Sequence, residues 1–206
     1  MSLSNQIIAH LYEIDAIQIK ADRSFTWTSG IKSPIYCDNR LTMSYPDIRT
    51  RIVDGFVDRL LVEAENIDCI AGCATAGIPH AAWLSERLNL PMAYVRGKPK
   101  GHGKQNQIEG VIKKGERVLV IEDLISTGQS VFETIDAIEK VGAHVIGVQA
   151  IFSYGLPRSK QDFDQRDIRF DTLANFDQLV TLLLKNEEIT DEEADSLIEW
   201  RDQINL

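Results

Sequence analysis

Glu122 and Asp123 are adjacent acids, and Ser126, Thr127, Gly128, Gln129 and Ser130 follow them within a few residues. The two groups suit opposite chemistries. Hydroxyls and free backbone N–H groups at the start of a helix, where the helix dipole is positive, suit a phosphate. A pair of carboxylates suits sugar hydroxyls or a hydrated divalent cation. Acids placed before an anion site repel the anion unless they have a partner of their own. The string as a whole therefore points to a sugar phosphate more than to a capped corner.

The flanking residues say what positions this string. Val118 to Ile121 form a short apolar run that reads as a buried strand, and Val131, Ile135 and Ile138 to Val141 recur at helical spacing. The acids and hydroxyls are thus expected in a tight turn between strand and helix. A second unit of this kind lies upstream: Ile67 to Ala71 as a strand, Gly72 to Gly77 as a loop of small residues, and Ile78 to Leu88 as a helix. Glycines let backbone approach an anion closely. Two such loops in a small α/β domain suit a ligand with phosphates at both ends.

Between the two units the chain changes character. Leu90 to Val95 reads as a strand. Arg96 to Asn106 then holds three glycines and five basic side chains, Arg96, Lys98, Lys100, His102 and Lys104, in a chain of net charge −9. A cationic loop of this kind suits closure over a polyphosphate and exclusion of water. Ile108 to Ile112 and Val145 to Phe152 read as further strands, with Ser153 to Ser159 as a loop. Strands alternating with helices imply a mostly parallel sheet flanked by helices, with ligands at the carboxyl ends of the strands.

Residues 3–19 carry an amphipathic helical pattern. Phe25 to Asp38 reads as short strands joined by a turn, a hairpin or hood that carries Trp27 and Tyr36. Pro46 opens a helix whose apolar face runs from Ile48 to Leu61. Phe176 to Leu184 is a helix, and Thr190 and Glu193 form a capping box before the last one. These C-terminal helices are expected to pack with the N-terminal segment and cover a sheet edge.

Composition sets limits. The chain has 206 residues, 44% of them hydrophobic and 26% charged, which suits one globular domain. Its acidity argues against broad nucleic-acid or anionic-membrane binding. No apolar run approaches the length needed to span a bilayer, and the first residues show no secretion-signal pattern, so neither feature is expected. Cys37, Cys69 and Cys73 lack paired spacing, so neither structural zinc nor a disulfide framework is expected, and a reducing cytoplasm is the natural home.

The apolar run, acid pair and hydroxyl string resemble the signature of the type I phosphoribosyltransferases. Together with Phe25–Asp38 and Arg96–Gly103, the chain resembles the orotate phosphoribosyltransferases, most closely the branch found in Gram-positive bacteria. The resemblance implies an α/β type I phosphoribosyltransferase fold with a small hood from the N-terminal segment. It implies one domain over residues 1–206, with a core over about 41–172 and residues 1–40 joining the C-terminal helices as hood and edge cover. It implies transfer from phosphoribosyl pyrophosphate (PRPP) to orotate with Mg²⁺, the ion held mainly through PRPP and water, in a homodimer with shared active sites. Neither nucleic acid nor membrane is an expected partner.

Carried over by position, Arg96, Lys100 and His102 match the mobile-loop residues on pyrophosphate, and Lys100 and His102 match catalytic positions. Glu122 and Asp123 match acids on the ribose hydroxyls. The PRPP stretch continues through Leu124 and Ile125 to Ser126, Thr127, Gly128, Gln129 and Ser130, the 5-phosphate cradle, with Ser126 also near orotate. Tyr36 and Cys37 match positions at the orotate carboxylate. Many members carry lysine where this chain has Thr28, Ala76 and Gly97, and Lys32, Lys98 or magnesium would have to compensate. An arginine of the family just after the last core strand has no clear match, Arg158 being nearby but displaced. A phosphoribosyltransferase for another base and a PRPP-sensing regulator are the rival expectations.

Overall fold

The computed structural model describes residues 2–20, 24–26, 31–60, 64–97 and 107–204. In chain order the elements are α1 (Leu3–Glu13), β1 (Ile17–Ile19), β2 (Phe25–Thr26), β3 (Lys32–Ser33), β4 (Ile35–Cys37), α2 (Pro46–Asp58), β5 (Cys69–Cys73) and α3 (Gly77–Leu88). There follow β6 (Met92–Val95), β7 (Ile108–Glu109), β8 (Arg117–Ile125), α4 (Gln129–Lys140), β9 (His144–Ser153), α5 (Pro157–Gln165), β10 (Phe170–Asn175), α6 (Phe176–Lys185) and α7 (Asp191–Gln203).

Six strands form the main sheet in the order β10-β9-β8-β5-β6-β7. All neighbours are parallel except β7, which folds back antiparallel on β6. The chain moves outward from β5 to β6 on one side and from β8 through β9 to β10 on the other. The strand order therefore reverses between β5 and β8. Right-handed crossovers travelling in opposite directions place their helices on opposite faces. The packing follows. Along β8, Leu119 and Ile121 join a core with α1, α2, α3, α6 and α7, while Val118 and Val120 join a second core with α4 and Phe163 of α5. Phe56 of α2 is fully buried in the first core, where truncation to alanine would cost about 3–5 kcal/mol.

Several expectations shift. The helical pattern over residues 3–19 breaks at Glu13, because Asp15 takes a left-handed backbone (φ 58°) and Ile17–Ile19 pairs with Ile35–Cys37. The strand over Ile67–Ala71 runs two residues later, as β5. The strand over Ile108–Ile112 shortens to β7, and Val111 is exposed. The expected loop after β9 contains the start of α5, and β10 adds a strand that the sequence reading lacked. Pro46 does open α2, and Thr190 with Glu193 makes the capping box of α7. Trp27, Thr28, Lys98, Lys100, His102 and Lys104 lie outside the described residues. No described helix is long and apolar enough to cross a membrane.

The N-terminal region forms two small antiparallel pairs, β1 with β4 and β2 with β3, beside the main sheet. The last helix braces them: the indole Nε1 of Trp200 donates to the Lys32 carbonyl at 3.2 Å. Trp200 also packs on Phe176, with ring centroids 6.0 Å apart.

Candidate active site

The acids do not occupy the turn. β8 pairs with β5 only as far as Ile121 opposite Gly72, but continues against β9 to Ile125 opposite Ser153. Glu122 and Asp123 therefore stand in strand conformation just past the end of β5, where the sheet has lost one neighbour. The start of α3 crosses this point. A Cβ on Gly77 would lie 2.5 Å from the Ile121 carbonyl oxygen and 3.2 Å from Glu122 Cα, so only glycine lets α3 come so close to the acids.

Glu122 is 4% exposed. Its Oε1 accepts from the Asp123 N–H at 2.9 Å and its Oε2 accepts from the Ser130 hydroxyl at 2.8 Å. Burial raises its pKa well above the ordinary carboxylate range, and the Asp123 charge pushes it further. Asp123 is half-buried and is also raised, chiefly by burial. Its main-chain carbonyl accepts from the amide of Asn39 at 2.8 Å. Asn39 is fully buried. This bond fixes the N-terminal segment to the end of β8.

Ser126 and Thr127 are half-buried and open the loop between β8 and α4. Gly128 caps α4 with φ 84° and offers it no side-chain hydrogen bond. A Cβ at Gly128 would sit 2.8 Å from the Phe132 ring. Thr127, Gly128 and the first N–H groups of α4 thus provide a helix terminus suited to an anion. The turn Ala74–Ala76 leaves the neighbouring strand β5, and its Ala74–Thr75 peptide is cis. One strand further, Arg96 follows β6. Its N–H donates to Gln107 O at 2.9 Å, and its guanidinium lies 3.5 Å from Glu109. This makes a closed neck between Arg96 and Gln107 at the same edge of the sheet as the two turns.

The hood supplies the opposite wall. Tyr36 is 40% exposed and stacks on Phe25, with centroids 5.8 Å apart. The Cys37 thiol contacts Asn39 Oδ1 at 3.4 Å, and burial raises its pKa well above the usual thiol value. Tyr154, just past β9, is buried, and a hydrogen bond links its hydroxyl to the Cys37 backbone. A cavity of about 820 Å³ lies between Tyr36, Cys37 and Arg40 on one side and Leu124, Ser126 and Thr127 on the other, and Arg158 lines it as well.

The geometry brings together Tyr36, Cys37 and the stretch Glu122–Ser130, while Arg96 stands at the end of β6, two strands from β8. Lys100 and His102 are outside the described residues. Asn39, Arg40 and Tyr154 were missed by sequence reasoning. The first two stand directly after the hood strand, where consecutive polar residues (Asp38, Asn39, Arg40) flank an apolar run and could have signalled a buried polar joint.

The phosphoribosyl transferase domain profile matches residues 47–177, more than half the chain. The orotate phosphoribosyltransferase of Oceanobacillus iheyensis is 52% identical over 98% of this chain and 100% of its own length. That of Staphylococcus haemolyticus is 47% identical over the same shares. The chain belongs to the orotate phosphoribosyltransferase family. Among solved structures, the orotate phosphoribosyltransferase of Aeropyrum pernix is similar with a TM-score of 0.77 at 27% identity, covering 89% of this chain and 99% of that one. The type I phosphoribosyltransferase fold expected from the sequence is the fold observed, and the likeness to the Gram-positive branch holds.

Among the described residues no cluster of three or more His, Cys, Asp or Glu side chains is arranged to hold a metal ion. Both Glu122 oxygens already accept hydrogen bonds. Asp123 is the member of the family's acid pair whose carboxylate stays partly open. This donor set fits an ion held by a ligand's own phosphates and water better than a closed protein cage.

Proposed function

We propose that the protein transfers the ribose 5-phosphate group of PRPP to orotate, releasing pyrophosphate and forming orotidine 5′-monophosphate in pyrimidine biosynthesis. The observation that carries this reading is the identity of about half of all residues to orotate phosphoribosyltransferases over nearly the whole chain. The site agrees with the chemistry. In the proposed binding mode the 5-phosphate rests on Ser126, Thr127, Gly128, Gln129 and Ser130, against the uncapped start of α4. Glu122 and Asp123 meet the ribose hydroxyls, and the Leu124–Ile125 backbone spans the gap. Tyr36, Cys37 and Ser126 hold orotate.

The reacting bond is the one from the anomeric carbon to the pyrophosphate oxygen. A ring nitrogen of orotate forms the new bond as that one breaks, so positive charge grows on the ribose and negative charge on the leaving group. Asp123, beside the ribose, would stabilise the first. Arg96, Lys100 and His102 would stabilise the second, with Lys100 and His102 as the catalytic pair. Mg²⁺, carried on the diphosphate and its waters, would add charge neutralisation there. We further propose one domain over residues 1–206, a homodimer with shared sites and a cytoplasmic setting, without nucleic-acid or membrane partners. The net charge of −9 supports the last point.

Purified protein given PRPP, Mg²⁺ and one base at a time, with pyrophosphate release followed, tests the reaction. Turnover is expected with orotate. Turnover of uracil or hypoxanthine but not orotate would overturn it.

A further inference from the structure

The cavity is lined by three acids, Glu133, Asp136 and Asp162, and more carboxylates stand close behind its hood side. Asp38, the residue after β4, stands close enough to Asp123 for the two charges to interact, and Glu122 adjoins Asp123. An anionic base entering here meets acids of its own sign. Arg40 is a cation in the same wall. Its Nε and Nη2 donate to Asp38 Oδ1 and Oδ2 at 2.6 and 2.7 Å. It lines the cavity together with Tyr36 and Cys37 of β4 and Leu124 of β8. The side chain nevertheless keeps 60% of its surface exposed.

A guanidinium carries five N–H donors in a rigid plane. Asp38 takes one on Nε and one on Nη2, so one edge of the plane is occupied and orients the rest. The Nη1 donors have no partner among the described residues, and the residue lines the cavity. A second carboxylate is the natural complement to such a tethered fork. The other arginine in the wall, Arg158, is held differently. It donates from Nε to Asp162, four residues along its own helix, at 3.1 and 3.0 Å. Its tether lies within α5 and not beside Tyr36 and Cys37 of the hood strand.

We propose that Arg40, oriented by Asp38, recognises the carboxylate on the pyrimidine ring and sets the preference for orotate over bases that lack this group. The proposal rests on the reading of the protein as an orotate phosphoribosyltransferase. It accounts for how an anion is accepted in a cavity lined by acids. It also assigns Asp38 a positioning role, since neutralising that side chain would release the fork.

Orotidine 5′-monophosphate and uridine 5′-monophosphate differ only in this carboxylate, so calorimetric titration of both isolates its contribution. The wild type should bind the first more tightly. Arg40→Gln should weaken orotidine 5′-monophosphate by about 10- to 100-fold and leave uridine 5′-monophosphate nearly unchanged. Asp38→Asn should give a smaller loss of the same selective kind. Arg40→Lys keeps the charge but not the fork, and a partial selective loss there carries the test should the glutamine variant fail to fold. Equal weakening of both nucleotides, or no change in either, would overturn the role of Arg40. A wild type that binds neither nucleotide would instead sink the underlying assignment.

Discussion

At Glu122, folding and binding pull in opposite directions. Its carboxyl is buried beside Asp123, and both facts raise its pKa well above the ordinary glutamate value. A group with a raised folded pKa binds protons more tightly in the folded chain than in the unfolded one. Its contribution to stability is therefore complete below the unfolded value, about 4.3, and is lost as pH rises through the raised folded value. Above that folded value the carboxyl must ionise against the interests of the fold. Glu122→Gln removes that ionisation, so its melting temperature relative to wild type should rise with increasing pH, by about 2–4 °C for each kcal/mol relieved. The amide can still accept from Asp123 N–H and can donate to the Ser130 hydroxyl. Turnover should fall by on the order of 10²-fold, since the ribose end loses an acceptor. Thermal melts across a range of pH and pyrophosphate-release assays on the same preparation check both halves, and a difference in melting temperature that does not rise with pH would contradict the first.

Two elements carry the phosphate-facing backbone, and each has a feature that can be tested. At the start of α4, Gly128 combines φ 84° with a Phe132 ring that would meet a Cβ at 2.8 Å. Gly128→Ala should cost about 1–3 kcal/mol of stability and raise the KM for PRPP, read by chemical denaturation and initial rates. In α3, His80 is 1% exposed, neither ring nitrogen has a partner among the described residues, and it meets Trp83 edge-on at 5.3 Å. Burial lowers its pKa from 6.5 to about 4. The unfolded chain therefore takes up this proton first, and stability falls as pH drops from about 6.5 toward 4, by on the order of 3 kcal/mol. His80→Phe should flatten that decline in melts between pH 7 and 5. An unchanged slope would assign the acid sensitivity elsewhere. Elements also show what a sequence reveals. The β8 core was legible from four consecutive apolar residues. The full length of β8 was not, because Glu122 and Asp123 are held in strand form by pairing with β9, a contact far away in sequence. α5 has almost no apolar stripe, with only Ser159 and Phe163 buried, so Pro157 was its one local sign. β10 lacks a β-branched run and owes its form to β9. The hood pairs were readable as strands, but their tie to the site through Asn39 was not, since a single polar residue does not announce its partner 84 positions on.

At the scale of the whole molecule, the proposed shared sites make a clear demand. Lys100→Ala or His102→Ala, mixed with Asp123→Ala under conditions that exchange subunits, should recover about a quarter of wild-type activity, because half the dimers are mixed and each has one intact site. No recovery in well-mixed dimers would show that each chain serves only itself. The strand order has another consequence. The turns after β8 and β5 and the neck after β6 emerge from three consecutive strands at one edge. Neighbouring strands are spaced about 4.8 Å apart by backbone hydrogen bonds, so β8 and β6 stand roughly 10 Å apart whatever side chains they bear. The sheet acts as a caliper. The span it offers a two-ended phosphate ligand is written in main-chain geometry, beyond the reach of point mutation, while the hood, a separate pair of short ribbons, is left free to change its choice of base.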